Sequence, residues 1–377
     1  MSSDHPYSVA IADLCRSTVA VLTAFEHVQR HLHPAEHARL RGWLERPGAD
    51  LRRALAAFRG LPPPESLETF HTQMERAGAA ADEAVRLFSA PGKAADSVAR
   101  ILGSMRSTCR ALEALYPLRG VLPPLGRLFA EAPLHDRLSE LDPETAREGG
   151  SGSVGMHVAG TSEDVPGARG GFVFYVPERY DGRQGLPLVV ALHGGFGHGR
   201  DFVWTWLREA RSRCCCLLAP TSLGTTWSLQ DPAQDGAALR SMLEFVTERW
   251  RIDAARVLLT GLSDGATFTL LWGLAEGSPF TALAPVCGVL HPWNFRNGNM
   301  ERARDKRIYL VHGALDWMFP VATARTACSA LEEAGADLVY RELADLSHAY
   351  PREENASILR WLDPGLALPG EGVRAPA

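Results

Sequence analysis

The segment that most constrains this chain is Gly261-Leu262-Ser263-Asp264-Gly265. Before it, Arg256-Val257-Leu258-Leu259-Thr260 is a short apolar run that reads as a buried parallel strand. After it, Ala266 to Leu274 has the composition of a helix. A serine between two glycines at a sharp strand-to-helix turn is a nucleophile elbow. Glycine at 261 and 265 removes side chains where the turn crowds its neighbours, and the strained turn lifts the Ser263 hydroxyl out of the sheet. The helix that starts there aims its N–H groups and positive dipole end at the place where an oxyanion would form. G-x-S-x-G alone recurs by chance, so its weight here rests on three further segments in the right order.

The first is Leu186-Pro187-Leu188-Val189-Val190-Ala191-Leu192, a buried strand by composition, with Pro187 near its start where a missing N–H is tolerated. It runs into His193-Gly194-Gly195-Phe196-Gly197, and a glycine-rich turn lets backbone N–H groups approach a substrate carbonyl. The expected donors are the N–H groups of Gly195 and of Asp264, the residue after the serine; read alone, the segment is equally an ordinary glycine turn. The second segment is Arg307-Ile308-Tyr309-Leu310-Val311-His312-Gly313, a strand followed by Ala314-Leu315-Asp316. A carboxylate there sits on the carboxyl rim of a parallel sheet and is placed to orient an imidazole. The third is Leu346-Ser347-His348-Ala349-Tyr350-Pro351, a loop ahead of a helix from about 352 to 362, with His348 as general base. Taken singly, such an Asp is a turn former and such a His a surface residue. Jointly, Ser263, Asp316 and His348 follow the chain order Ser…Asp…His.

Residues from about 171 to 362 resemble the compact carboxylesterases and depolymerase-type esterases of the α/β-hydrolase superfamily. The matching stretches are Phe172-Val173-Phe174-Tyr175-Val176-Pro177, Leu192-His193-Gly194-Gly195, Arg251-Ile252-Asp253 with Arg256-Val257 leading into the elbow, His312 to Asp316, and His348 followed by a helix with Ile358-Leu359-Arg360-Trp361-Leu362. The resemblance implies hydrolysis of carboxylic esters, sometimes thioesters, with no cofactor. It covers roughly half the chain. One departure is Ala266, where many relatives carry a second glycine; alanine is small enough to keep the helix on the strand.

A chain of 377 residues exceeds one typical domain, and 46% hydrophobic residues suffice to build cores. The net charge of −5 is spread out, without the basic stripe that nucleic-acid binding requires. No apolar run is expected to span a membrane, and no signal peptide is expected, since Met1-Ser2-Ser3-Asp4-His5 lacks a charged stretch followed by a continuous apolar one. Of seven cysteines, Cys214, Cys215 and Cys216 are consecutive. Neighbours in a strand face opposite ways, so these three read as core residues and no metal is expected on them. A reduced, cytoplasmic protein is the expectation.

The fold class expected is α/β: an α/β-hydrolase domain with a mostly parallel central sheet over 169–365, preceded by an all-α helical bundle over 1–130. A linker over 131–168, marked by Glu148-Gly149-Gly150-Ser151-Gly152-Ser153, joins them, and 366–377 is a flexible tail. Apolar residues recur at helical spacing in Ile11, Leu14, Thr18, Leu22, Phe25, Val28 and Leu32. They do so again in Leu67, Phe70, Met74, Ala81, Val85 and Phe88, and in Val98, Ile101, Met105, Cys109, Leu112 and Leu115. The bundle reads as an accessory module, a homodimer contact, or a cap over the site, since only a short loop around His291-Pro292-Trp293-Asn294 lies between Val289 and Lys306. His27, His31, His33 and His37 cluster near the end of the first helix but lack an HExxH pattern, so they read as polar surface.

For the substrate, a small-molecule ester, the guides are aromatic residues near strand ends: Phe196, Trp227, Trp293 and Trp317, each equally able to pack under a loop. Trp204 and Trp206, in a helical stretch over 202–209, read as core. Two other readings stay open: a serine peptidase of the oligopeptidase type, though no propeller-like repeat precedes residue 149, and a catalytically silent hydrolase-fold scaffold.

Overall fold

A computed structural model describes residues 5–91, 94–143, 153–160 and 168–371, with backbone alone for 94–97. The chain divides into two compact units, Met1–Leu138 and Ser139–Ala377.

The first unit is helical: α1 (Pro6–Arg30), α2 (His37–Arg59), α3 (Glu68–Ser89), α4 (Ala94–Leu115) and the short α5 (Pro123–Leu128). Apolar residues three and four apart put one stripe of each long helix on a shared core. Leu14, Val21, Phe25 and Val28 of α1 are buried with Leu40, Leu44, Leu51 and Phe58 of α2 and Met74, Ala81 and Phe88 of α3. Phe25 and Phe88 meet edge to face, ring centres 6.0 Å apart. Each of the larger of these buried side chains contributes on the order of 1.5–3 kcal/mol. By length and composition alone α1 is apolar enough to cross a membrane, because Asp13 and Arg16 interrupt the run without outweighing it. In this fold its apolar stripe lies against α2 and α3.

The second unit is a single eight-stranded sheet: β1 (Gly155–Ala159), β2 (Phe172–Val176), β3 (Leu186–Leu192), β4 (Cys216–Pro220), β5 (Ile252–Leu262), β6 (Ala282–Val286), β7 (Arg307–Gly313) and β8 (Asp337–Leu343). The spatial order is β1-β2-β4-β3-β5-β6-β7-β8. β1 and β2 pair antiparallel, as do β2 and β4, and every other pairing is parallel. Helices α6 (Gly199–Ser212), α7 (Ala233–Arg249), α8 (Asp264–Gly273), α9 (Asn299–Arg302), α10 (Val321–Glu333) and α11 (Glu354–Leu362) fill the connections. The central strands read as continuous apolar runs because both faces are covered, and β3 and β7 are buried from their second residue onward.

Two boundaries differ from the sequence reading. The stretch 131–168 is not all linker: it contains β1, whose antiparallel register with β2 and the Trp250 indole N–H donated to the Ser153 carbonyl (2.8 Å) fix it to the sheet. Its glycine- and serine-rich part, 144–152, lies outside the described residues. The tail is also tied down at its start. The Glu371 carboxylate accepts from Arg213 (2.7 Å) and Arg360 (2.7 Å), contacts that hold its pKa down at about 2.

Candidate active site

Parallel strands bring their carboxyl ends to one rim, and each candidate side chain sits on a loop that leaves it. Ser263 joins β5 to α8 at φ +57° and ψ −119°, a conformation L residues rarely adopt. Backbone crowding enforces the flanking glycines. A Cβ on Gly261 would stand 2.5 Å from the Gly265 carbonyl carbon, and one on Gly265 would stand 2.5 Å from the His193 carbonyl oxygen. The elbow is held by the Ser263 N–H donating to the Val286 carbonyl (3.0 Å). Ala266, the departure from the family pattern, is accommodated by Gly288, where a Cβ would come within 2.5 Å of the Ala266 methyl.

The structure brings the three expected side chains together. His348 Nε2 lies 3.0 Å from Ser263 Oγ, and His348 Nδ1 lies 2.8 Å from Asp316 Oδ2. With the Nδ1 proton donated to the carboxylate, Nε2 is left to accept the serine proton. Asp316 is buried, and its other oxygen accepts the N–H groups of Met318 (2.9 Å) and Phe319 (2.8 Å). Burial alone would raise its pKa, but the hydrogen bonds from His348 and Phe319, and the nearby His348 and His312 imidazoles, hold it below the ordinary carboxylate value.

Sequence reasoning missed the shell behind Asp316. Buried His312 donates Nε2–H to the Phe319 carbonyl (2.8 Å), with Asp316 Oδ2 3.5 Å from the same nitrogen. Buried Cys287, at φ +50°, directs its thiol toward the Ala349 carbonyl (3.6 Å), and desolvation pushes its pKa up to about 12. Cys287, His312 and Asp316 offer donor atoms within 4.8 Å of one another, but these bonds already engage the thiol, the His312 Nε2 and both carboxylate oxygens. Through these bonds the group packs behind the acid and helps to fix it.

Of the expected oxyanion donors, Asp264 follows the serine directly, and the Gly194-Gly195 turn lies against Ser263 and Asp264. A Cβ on Gly194 would lie 3.5 Å from Ser263 Cβ, and one on Gly195 would lie 2.9 Å from Asp264 Oδ2. Among the described residues nothing accepts from the Gly195 or Asp264 N–H, whereas the next two amides are engaged, Phe196 with Thr225 and Gly197 with Gly194. His193, buried beneath this turn, takes the Ser222 N–H on Nε2 (3.1 Å) and bonds the Gly194 carbonyl through Nδ1 (2.7 Å). Desolvation lowers its pKa to about 3, so it stays neutral.

The aromatic candidates divide. Phe196, Trp293 and Trp317 are 64%, 42% and 52% exposed, and the Trp317 ring centre is 6.5 Å from that of His348. Trp227, expected in the substrate pocket, is corrected: only 3% exposed, it stacks on Phe268 and donates its indole N–H to the His193 carbonyl (2.7 Å). Trp204 and Trp206 are buried, as expected of core. In the helical unit, the His27 ring lies against His31 (4.2 Å) and Trp43 (3.9 Å), His33 caps a turn through the Ala35 N–H, and His37 packs on Phe88.

Sheet order and elbow together are those of the α/β-hydrolase fold. Within that class, residues 236–364 match the model of the phospholipase/carboxylesterase family. Among solved structures, a thermostable esterase is 22% identical, with a TM-score of 0.46 over 55% of this chain and 62% of that one. The chain therefore spans less than two thirds of that esterase. Esterase PE8 is 22% identical over 48% of this chain and 94% of that one (TM-score 0.40). The fluorophosphonate-binding serine hydrolase F (FphF) of Staphylococcus aureus is 11% identical over 58% of this chain and 100% of that one (TM-score 0.45). No curated protein matches the chain by sequence.

Proposed function

We propose that the protein hydrolyses carboxylic esters, thioesters included, with Ser263 as nucleophile, His348 as general base and Asp316 as its orienting acid. The observation that carries this reading is the unbroken relay from Asp316 through His348 to Ser263, at 2.8 and 3.0 Å, ending on a strained elbow beside two unengaged N–H groups. Ser263 Oγ attacks the acyl carbonyl as His348 Nε2 takes its proton. The Gly195 and Asp264 N–H groups receive the negative charge that develops on the carbonyl oxygen, each worth on the order of 3 kcal/mol in the transition state. His348 returns the proton to the leaving oxygen or sulfur, and water repeats the sequence on the acyl-enzyme.

Esters with apolar acyl or alcohol groups suit the rim of this site. Phe196, Leu223, Trp293, Phe295, Leu315 and Trp317 are all exposed on the loops after β3, β4, β6 and β7. Purified protein assayed on p-nitrophenyl esters of increasing acyl length should turn them over, with Ser263→Ala inactive. Turnover of peptide anilides but not esters would instead support the oligopeptidase reading. A folded protein that cleaves neither would overturn the proposal.

A further inference from the structure

Three consecutive residues in the loop after β4 each hold a different part of the oxyanion site. The Thr225 carbonyl accepts the Phe196 N–H (2.8 Å). Thr226 Oγ1 donates to Asp264 Oδ2 (2.5 Å), and Trp227 Nε1–H donates to the His193 carbonyl (2.7 Å). Two of these bonds bracket the Gly194-Gly195 turn, and the third reaches the residue after the nucleophile. From this geometry we propose that Thr225-Thr226-Trp227 is a strut that sets the spacing between the two oxyanion donors, with Thr226 and Trp227 as positioning residues. The proposal rests on the hydrolase reading above.

The strut is itself anchored. Asp235, buried at the start of α7, accepts the Leu223 N–H on one oxygen (2.8 Å) and both the Ser228 N–H (2.7 Å) and hydroxyl (2.6 Å) on the other. One carboxylate thus pins the loop on both sides of the tripeptide. At its far end, the buried Trp227 indole is wedged between the His193 ring (5.0 Å) and Phe268 of α8 (5.2 Å). It leaves little freedom for rotation.

Such fixing has a physical purpose. The Gly195 donor sits on a loop, and Phe196 after it has φ +59°, a conformation that the bond to Thr225 helps to hold. The Asp264 donor carries its own hazard, a negative side chain beside the place where an oxyanion must form. Donation from the Thr226 hydroxyl draws charge from that carboxylate and fixes where it stands. Donors fixed before the reaction need no reorganisation during it, which is where oxyanion stabilisation gains its strength.

The test uses full-length Thr226→Val, which removes the hydroxyl at nearly constant shape, and Trp227→Phe, which keeps a ring but loses the N–H. Thr226→Ser serves as the rescue. Misplaced donors should lower kcat about 10- to 100-fold with KM nearly unchanged, and weaken a boronate or trifluoromethyl ketone inhibitor in parallel. Thr226→Ser should recover most of the loss. Hydrogen exchange read over 193–198 and 263–266 should speed up in both first variants, whether or not any ester is turned over. Unchanged exchange in folded Thr226→Val and Trp227→Phe would overturn the strut. So would an unaltered kcat in these variants of an active enzyme, or a Thr226→Ser variant as impaired as Thr226→Val. If the wild-type protein cleaves no ester, the hydrolase reading fails, and exchange still decides the strut.

Discussion

Ser263 at φ +57° is a residue whose conformation costs energy wherever it has no task, on the order of 1–3 kcal/mol. The proposed task makes steep demands on its partners. Ser263→Ala and His348→Ala should each lower kcat on p-nitrophenyl esters by at least about 10⁴-fold, and the double variant should be hardly worse, because the two act as one unit. Additive losses would contradict a relay. A second residue-scale prediction concerns acid. His193 is neutral in the fold with a pKa of about 3, while the unfolded chain takes up that proton near the ordinary histidine value. Unfolding therefore gains a proton as pH falls below about 6.5, at a cost to stability of about 1.4 kcal/mol per unit until pH nears the folded value. Asp316, held below its ordinary value, adds stability above the carboxylate range and loses it as pH falls. Urea titrations between pH 7 and 4 should show this decline, with a shallower slope in His193→Gln; equal slopes would contradict the assignment. Ser263 and Asp316 were singled out because each follows a strand-like apolar run, and His348 because its loop precedes a helical stretch in the order Ser…Asp…His. Trp227 was misread because its partner is a backbone carbonyl, and no side-chain pattern announces such a bond.

At the scale of elements, the elbow works because helix α8 crosses the strands at backbone contact distance. Ala266 and Gly288 share one small space, so the glycine expected at the first position is supplied by the second. Gly288→Ala should destabilise the protein by about 1–3 kcal/mol in urea unfolding. Adding Ala266→Gly should recover part of that loss, since touching residues couple; strict additivity would contradict the shared space. Element type was readable where length and period agreed: Leu186–Leu192 of β3, Val257–Leu259 of β5 and Ile308–Val311 of β7 are apolar runs, and α1 and α3 carry regular stripes. β1 was missed because five residues on a sheet edge carry too little pattern against a glycine-rich background. The stripe of α2, through Leu40, Leu44, Leu51, Leu55 and Phe58, is as regular as the others, but Pro47 and Gly48 interrupt it in sequence and not in space.

For the whole molecule, every proposed catalytic group lies in the unit beginning at Ser139, and the helical unit has a core of its own. Residues 139–377 should therefore fold alone and keep their ester hydrolysis, and the full chain should unfold in two calorimetric transitions. A fragment starting at 165 would lose β1 and is expected to be less stable. If 139–377 folds but is inactive, the helical unit contributes to the site. The homodimer contact considered for that unit is a separate proposal, which sedimentation of residues 1–138 would test. The central claim is that Ser263 is an activated nucleophile. Its most direct test is to treat the full-length protein with a fluorophosphonate probe and map the adduct by peptide mass spectrometry. The account predicts a single adduct on Ser263, absent from Ser263→Ala and strongly reduced in His348→Ala. An adduct on another serine, or none on the folded wild-type protein, would contradict it.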